Sequence, residues 1–391
     1  MSPKPKPKPK HARQPRRSKG WGWTLAFVVL AIVLGVATVA LVVTAGSRSI
    51  APSKDRHSAT GASGDPASGP RCPLTGEPAP GGVVPDRPAL AIKVDNYPAA
   101  RPQSGLDHAD IVFEEPVEGG VTRFVAVYQC DEASLVGPIR SARLVDVGIL
   151  EQLSKPIFIH MGGIDPVLAA LRSAAIVDDD LFSFGNIIQH PFASRVAPYS
   201  TYISTKDAWG LDPSYTTPPM PLFSYSRSAP SGDPADTIHI PFSIYSPAYW
   251  HYDPATGQYL LDYGSTPAML TSGNQISTTN IVVQIVHTHL GPWLENNLGG
   301  YEVEATLTGT GPLEVFRNGV EITGTWQRST LMNRTHLVAS DGATITLAPG
   351  RTWVELVPST VTVGVSSPPA PTKSPGSSTP KSRGSRTSKR S

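Results

Sequence analysis

Between Arg101 and Arg143 the chain sets Glu114, Glu115 and Glu118 just before Gly119-Gly120, with Arg123 close behind. Arg140 and Arg143 then follow the turn Gly137-Pro138-Ile139, with Ser141 between them. Two carboxyls can share acid–base work when their surroundings push their pKa values apart. If the segment is extended, Glu114 and Glu118 share a face about 13 Å apart at about 3.3 Å per residue. Glycosidases hold their pair closer, at roughly 5–9.5 Å. Pro116 and the glycines are expected to bend the segment, which keeps Glu114 and Glu118 as candidate acid and base. The same glutamates are also natural ion-pair partners for the arginines. Arginine offers a second chemistry, because its planar fork holds carboxylate or phosphate through two hydrogen bonds. Arg101, Arg123, Arg140, Ser141 and Arg143 are therefore candidate ligand-binding residues. The last three lie at the expected start of a helix, where free N–H groups favour an anion.

His160 joins this set because it follows a short apolar strand and precedes Gly162-Gly163, where open α/β sheets place ligands. The commoner role for a histidine in that place is structural. His287 and His289 alternate as metal ligands on a strand would, yet no cysteine or clear carboxylate stands nearby, so no metal site is assigned. Phosphate-loop, nucleophile-elbow and dinucleotide motifs are missing from the chain, and no cofactor is expected.

The elements that must position these residues change in texture along the chain. Leu90–Val94, Ile111–Phe113 and Val121–Tyr128 read as strands, with a bend over Glu114–Gly120. Leu144, Val147, Leu150 and Leu153 predict a helix from near Ser141 to before Pro156. Ile157–Ile159 reads as a buried strand, Asp165–Ala175 as a helix with proline in its first turn, and Asp178–Asp180 as a solvated loop. After Pro218 the pattern is almost wholly β. A hairpin is expected across Pro254-Ala255-Thr256-Gly257, a strand over Thr279–His287, and a second hairpin at Asn318-Gly319.

Charge is segregated. Residues 1–20 hold eight of the 33 basic groups and residues 365–391 hold six, with no acid in either stretch. The middle keeps 19 basic groups against all 31 acidic ones, which argues against a nucleic-acid partner. Leu25–Val43 is 19 residues without a charge, preceded by Trp21 and Trp23. As a helix it spans about 28 Å, close to the hydrocarbon thickness, and the basic flank keeps the N-terminus cytoplasmic. A cleaved signal peptide is the competing reading, since Val43-Thr44-Ala45 is a small-residue pattern. Both readings send the bulk of the chain out of the cytoplasm. There Cys72 and Cys130 are expected either bonded to each other or as two buried thiols. The division is a basic cytoplasmic segment (1–20), a transmembrane helix (21–44), a spacer (45–70), a mixed α/β domain (71–225), a β domain (235–358) and a basic low-complexity tail (359–391). The fold class is α+β, a mixed α/β N-terminal domain followed by a mostly antiparallel β C-terminal domain.

Arg101-Pro102-Gln103-Ser104-Gly105, Ala109-Asp110-Ile111-Val112, Glu114, Glu118-Gly119-Gly120, Thr122-Arg123-Phe124, Gly137-Pro138-Ile139-Arg140-Ser141-Ala142-Arg143 and His160-Met161-Gly162-Gly163 carry a resemblance. Tyr252-Asp253, Thr256-Gly257, Asn318-Gly319, Gly324-Thr325-Trp326 and Thr352-Trp353 continue it. In that order and spacing, over about residues 71–358, the chain resembles the YerB-like family of bacterial extracytoplasmic proteins. The resemblance implies an envelope protein with an α/β-type first domain and a β-rich second one; it implies no reaction. The chain departs from the family at Ala197-Pro198-Tyr199-Ser200, where Ala-Pro-His-Asn is expected. Three functions follow as expectations. The first is a membrane-anchored protein binding an anionic, cell-wall-derived ligand through the Arg/Glu cluster. The second is an envelope hydrolase or transferase using Glu114 or Glu118. The third is a scaffold docking another envelope protein.

Overall fold

The computed structural model describes residues 69–295 and 299–367. The expected basic cytoplasmic segment and transmembrane helix, nearly all of the spacer and most of the basic tail lie outside them. Among the described residues no helix is long and apolar enough to cross a membrane.

The N-terminal part holds β1 (Leu90–Asp95), β2 (Ile111–Pro116), β3 (Thr122–Tyr128), β4 (Ile157–His160) and β5 (Val177–Asp180). Helices α1 (Leu144–Leu150), α2 (Asp165–Ser173) and α3 (Thr205–Trp209) are set among and after them. The C-terminal part begins with β6 (Asp233–Pro234), β7 (Thr237–Pro241), β8 (Pro247–Asp253), β9 (Gln258–Tyr263), β10 (Thr266–Pro267) and β11 (Ser277–Thr278). It continues with β12 (Asn280–Val286), β13 (Thr288–Leu294), β14 (Tyr301–Ala305), β15 (Gly309–Arg317) and β16 (Val320–Arg328). Strands β17 (His336–Ala339), β18 (Thr352–Pro358) and β19 (Gly364–Ser366) complete it.

The mixed α/β N-terminal part and the mostly antiparallel C-terminal part are both present, but they share one sheet. Its order is β17-β16-β15-β12-β18-β2-β3-β1-β4-β5, with β6 on β16. The seam is the parallel pair of β18 and β2, running from Thr352 opposite Ile111 to Glu355 opposite Glu114. Both strands are buried on both faces, so each needs a neighbour on either side and neither can end a sheet. A second sheet, β10-β9-β8-β7-β19 with β11 on β9, covers one face of the first. Helices α1 and α2 cover the other. Alternation along β1 sorts its side chains between the layers. Leu90, Ile92 and Val94 face the second sheet, where Trp250 and Trp353 meet edge to face at 5.2 Å, whereas Ala91 faces the helices.

Several local expectations are corrected. The bend expected from Glu114 starts later, because β2 runs through Glu114 and Glu115 to Pro116, paired with β3 throughout and with β18 as far as Glu114. The helix after Ser141 begins only at Leu144 and ends at Leu150, followed by a 3-10 turn over Glu151–Leu153. Ser141 and Ala142 are drawn into extended backbone instead, with Ala142 N–H donating to Gly162 O. Asp178–Asp180 is strand and not loop, since β4 offers it a parallel edge. Gly364–Ser366, placed in the low-complexity tail, pairs with β7. Asn318 and Gly319 do make the tight turn between β15 and β16, both at positive φ (54° and 73°).

Cys72 and Cys130 are bonded to each other, with Cα atoms 6.0 Å apart and their positions 58 apart in sequence. The bond ties the start of the described chain to the end of β3. Closing a loop of that size is worth about 4 kcal/mol in the chain-entropy model. Thermal unfolding with and without reductant should show this loss, and the Cys72→Ser, Cys130→Ser double variant should match the reduced protein. An unchanged melting temperature under full reduction would contradict it.

Candidate functional site

Strand alternation divides the acidic stretch before any turn begins. Glu114 faces the second sheet, where it accepts from Thr122 Oγ1 at 2.6 Å and Trp353 Nε1 at 3.3 Å. Its register partner Glu355, itself held by Trp250 Nε1 at 2.8 Å, stands beside it. Burial raises the pKa of both carboxyls, and their mutual repulsion adds to it for Glu355. Glu115 faces the helices and pairs with Lys93, which also holds Asp146 at 2.7 Å; all three side chains are fully buried.

The chain turns after Val117 through Gly119 and Gly120, at φ of 77° and 72°, a conformation that favours residues without a Cβ. This swings Glu118 onto the arginines. Arg143 reaches it through two bonds, Nη2 to Oε1 at 2.5 Å and Nε to Oε2 at 2.9 Å, and Arg123 approaches it at 3.4 Å. Arg143 also meets Glu295 at 3.2 Å and Glu302 at 3.9 Å, both carried by the β13–β14 hairpin. Burial opposes ionisation of Glu118, yet the hydrogen bonds and charges of Arg143 and Arg123 hold it below the usual carboxylate range. Burial likewise works against Arg143, and the three carboxylates outweigh it, raising its pKa. Arg123 goes the other way: burial and the neighbouring Arg143 push it down to about 10.

Glu118, Arg123, Arg140, Ser141 and Arg143 line one hollow of about 790 Å³, together with Met161, Phe182, Pro198 and Glu295. Five of the sequence candidates therefore converge. Their accessibility differs. The Arg143 side chain is 4 % exposed, whereas Arg140 is 27 % exposed and spends only its Nε, on Asp95 Oδ2 at 2.7 Å. The terminal amines of Arg140 have no hydrogen-bond partner among the described residues. Arg123 Nε and Glu295 Oε1, in the same wall, are buried without a partner.

Three candidates stand apart from the hollow's lining. Glu114 is sealed between the sheets. Arg101 stacks on Tyr263 at 3.4 Å and donates to Asn96 O and Tyr245 O, fastening the second sheet to the first. His160 is fully buried; Nδ1 donates to Gly162 O at 2.9 Å and Nε2 meets Asp178 at 2.7 Å. Burial would lower its pKa, but these partners raise it. The expected anion seat at the helix start is already filled by the chain itself. Leu144 N–H donates to Glu302 Oε1 at 2.7 Å and Arg143 N–H to Asp146 Oδ2 at 2.6 Å. Residue spacing gave no hint of Asp95, Glu295 or Glu302, since the last acts on a backbone group 158 residues away. No group of three or more metal-type ligands is gathered among the described residues.

The two-part fold belongs to a known class. The chain matches the family described as "Protein of unknown function (DUF3048)", with its N-terminal domain over residues 74–212 and its C-terminal domain over 238–354. It belongs to that family, whose activity is unknown. Among relatives, it is 28 % identical over 305 residues to the protein named "Putative lipoprotein YerB" of Bacillus subtilis (strain 168), covering 74 % of this chain and 86 % of that one. The crystal structure of YerB from Bacillus subtilis superposes with a TM-score of 0.64 at 25 % identity, covering 75 % of this chain and 99 % of that one.

The hairpin latch carries its own pH dependence. Burial and the neighbouring Glu295 carboxyl push Glu302 up to about 9. A carboxyl raised above its ordinary value of about 4.3 stabilises fully below that value and loses the contribution as pH rises through its folded pKa. Hydrogen exchange in β13 and β14, corrected for intrinsic rates, should therefore accelerate as pH rises through about 9. Glu302→Gln should flatten the response. A hairpin equally protected across that range would contradict the raised pKa of Glu302.

Proposed function

We propose that this is a membrane-anchored extracytoplasmic protein that binds an anionic, cell-wall-derived ligand in the Arg140 hollow. The observation that carries the reading is Arg140, half-open to solvent with both terminal amines uncommitted and its Nε oriented by Asp95. A guanidinium held this way offers a ready fork to carboxylate or phosphate. Arg123, with its unpartnered Nε, stands behind it. Acid–base catalysis has less support. Glu118 lies in the hollow but is held ionised by two guanidiniums, while Glu114, whose pKa is raised, lies sealed elsewhere.

The address rests on the uncharged run Leu25–Val43 behind a basic segment, and on the lipoprotein wording in the relative's name. A C-terminal tag on the full chain should be accessible to a non-permeant label on intact cells. Labelling that needs lysed cells would overturn it.

Arg140→Ala should weaken binding of soluble wall fragments at least about tenfold, and, because it leaves the buried Asp95 one partner short, should lower the unfolding free energy by roughly 1–3 kcal/mol without unfolding the protein. Isothermal titration and denaturant unfolding on the same preparations test both. Undiminished binding by Arg140→Ala would end the proposal.

A further inference from the structure

Next to the hollow three tyrosines from distant segments form one row, Tyr97 and Tyr245 exposed and Tyr199 half-buried. Tyr97 stacks on Tyr199 with ring centroids 6.3 Å apart and planes within 7°, and Tyr245 leans on Tyr97 at 6.1 Å. Tyr97 is 40 % and Tyr245 41 % exposed, an unusual outlay of aromatic surface at one spot. The row is joined to the hollow by shared atoms. Asp95 accepts from Arg140 Nε through Oδ2 and from Tyr97 N–H at 3.0 Å through Oδ1. Tyr199 lies between the lining residues Pro198 and Thr201, its ring 5.9 Å from the Arg140 guanidinium. Arg101 grips the backbone oxygens of Asn96 and Tyr245, which sets Tyr245 against Tyr97. Rings fixed by backbone bonds from three segments lose little freedom when a ligand settles on them.

We infer that the row and Arg140 form one subsite for a sugar ring that carries an anionic group, the ring lying on the tyrosines and the acid on the guanidinium. The inference rests on the reading of the hollow as an anion site and names the ligand class it takes. One face of a pyranose presents C–H bonds of slightly positive charge, which suit the negative face of a phenol ring. An acidic substituent on the same sugar then reaches the uncommitted amines of Arg140. A plain anion uses only the second of these contacts, and a neutral sugar only the first. The acid can be a uronate-type carboxylate or a sugar phosphate, since both match the guanidinium fork.

The test titrates the full-length chain with a galacturonate oligomer, a hexose phosphate, an N-acetylglucosamine oligomer, acetate, inorganic phosphate and an acidic peptide. At least one acidic sugar should bind more tightly than its bare anion and than the neutral oligomer; whichever acidic sugar wins identifies carboxylate or phosphate as the source. Tyr97→Ala and Tyr245→Ala should each weaken that sugar about three- to tenfold and leave the bare anion unchanged. Tyr97→Phe should retain binding, which separates ring stacking from loss of the hydroxyl. Arg140→Ala should abolish both kinds of binding. If bare anions bind, depend on Arg140 and gain nothing from a sugar, the tyrosine subsite is refuted while the anion site stands. The subsite is also refuted if the acidic peptide binds most tightly with the same tyrosine dependence. If no probe binds at all, both readings fall together.

Discussion

The structure turns on one buried guanidinium. Arg143 is almost wholly withdrawn from water, a state that costs several kcal/mol for an ion without partners. Glu118 and Glu295 supply charged partners, Glu302 stands 3.9 Å away, and Ala142 O accepts from its Nη1 at 2.7 Å. Each acidic group arrives on a different device: a glycine turn after β2 for Glu118, the residue just past β13 for Glu295, and β14 for Glu302. The ion cluster thereby pins the turn, the start of α1 and the hairpin to one point. Breaking such a pair from one side typically costs about 3–5 kcal/mol, because the other charge stays buried. The hollow exists where these three elements meet.

That pinning explains why neighbouring arginines do different work. Arg143 is consumed by its carboxylates and Arg123 by Ser141 O and Glu118, so neither has its full fork to offer. Arg140 lies a step outside the cluster. Asp95 occupies its Nε and leaves both terminal amines without a hydrogen-bond partner among the described residues. The same Asp95 fixes Tyr97, so charge and aromatic surface are placed by a single carboxylate. On the far side of the sheet, Glu114 and Glu355 face each other across the seam between β2 and β18 under two indole N–H groups. That pair belongs to the joint between the two family domains, not to the hollow.

Much of this was legible in the residues, and the limits were physical. Arg123, Arg140, Ser141, Arg143 and Glu118 lie within one short stretch, and their convergence follows from two turns signalled by Gly119-Gly120 and Gly137-Pro138. The texture of each half was likewise readable from period-two and period-three patterns. The shared sheet was not, because pairing of β18 with β2 joins residues more than 200 positions apart (Thr352 with Ile111) and no local signal specifies a partner for a strand buried on both faces. Glu295 and Glu302 were hidden for the same reason. His160 looked like a ligand-facing residue because it ends a strand before two glycines; Asp178 on the next strand instead makes it a brace for that loop.

The most direct measurement is a crystal structure of the chain with an acidic oligosaccharide bound. The account predicts the acid group within hydrogen-bond distance of the Arg140 terminal amines, a sugar ring over the tyrosine row, and the Arg143–Glu118 pair undisturbed. Electron density for the acid on Arg143, with Glu118 displaced, or a ligand seated away from Arg140, would contradict it.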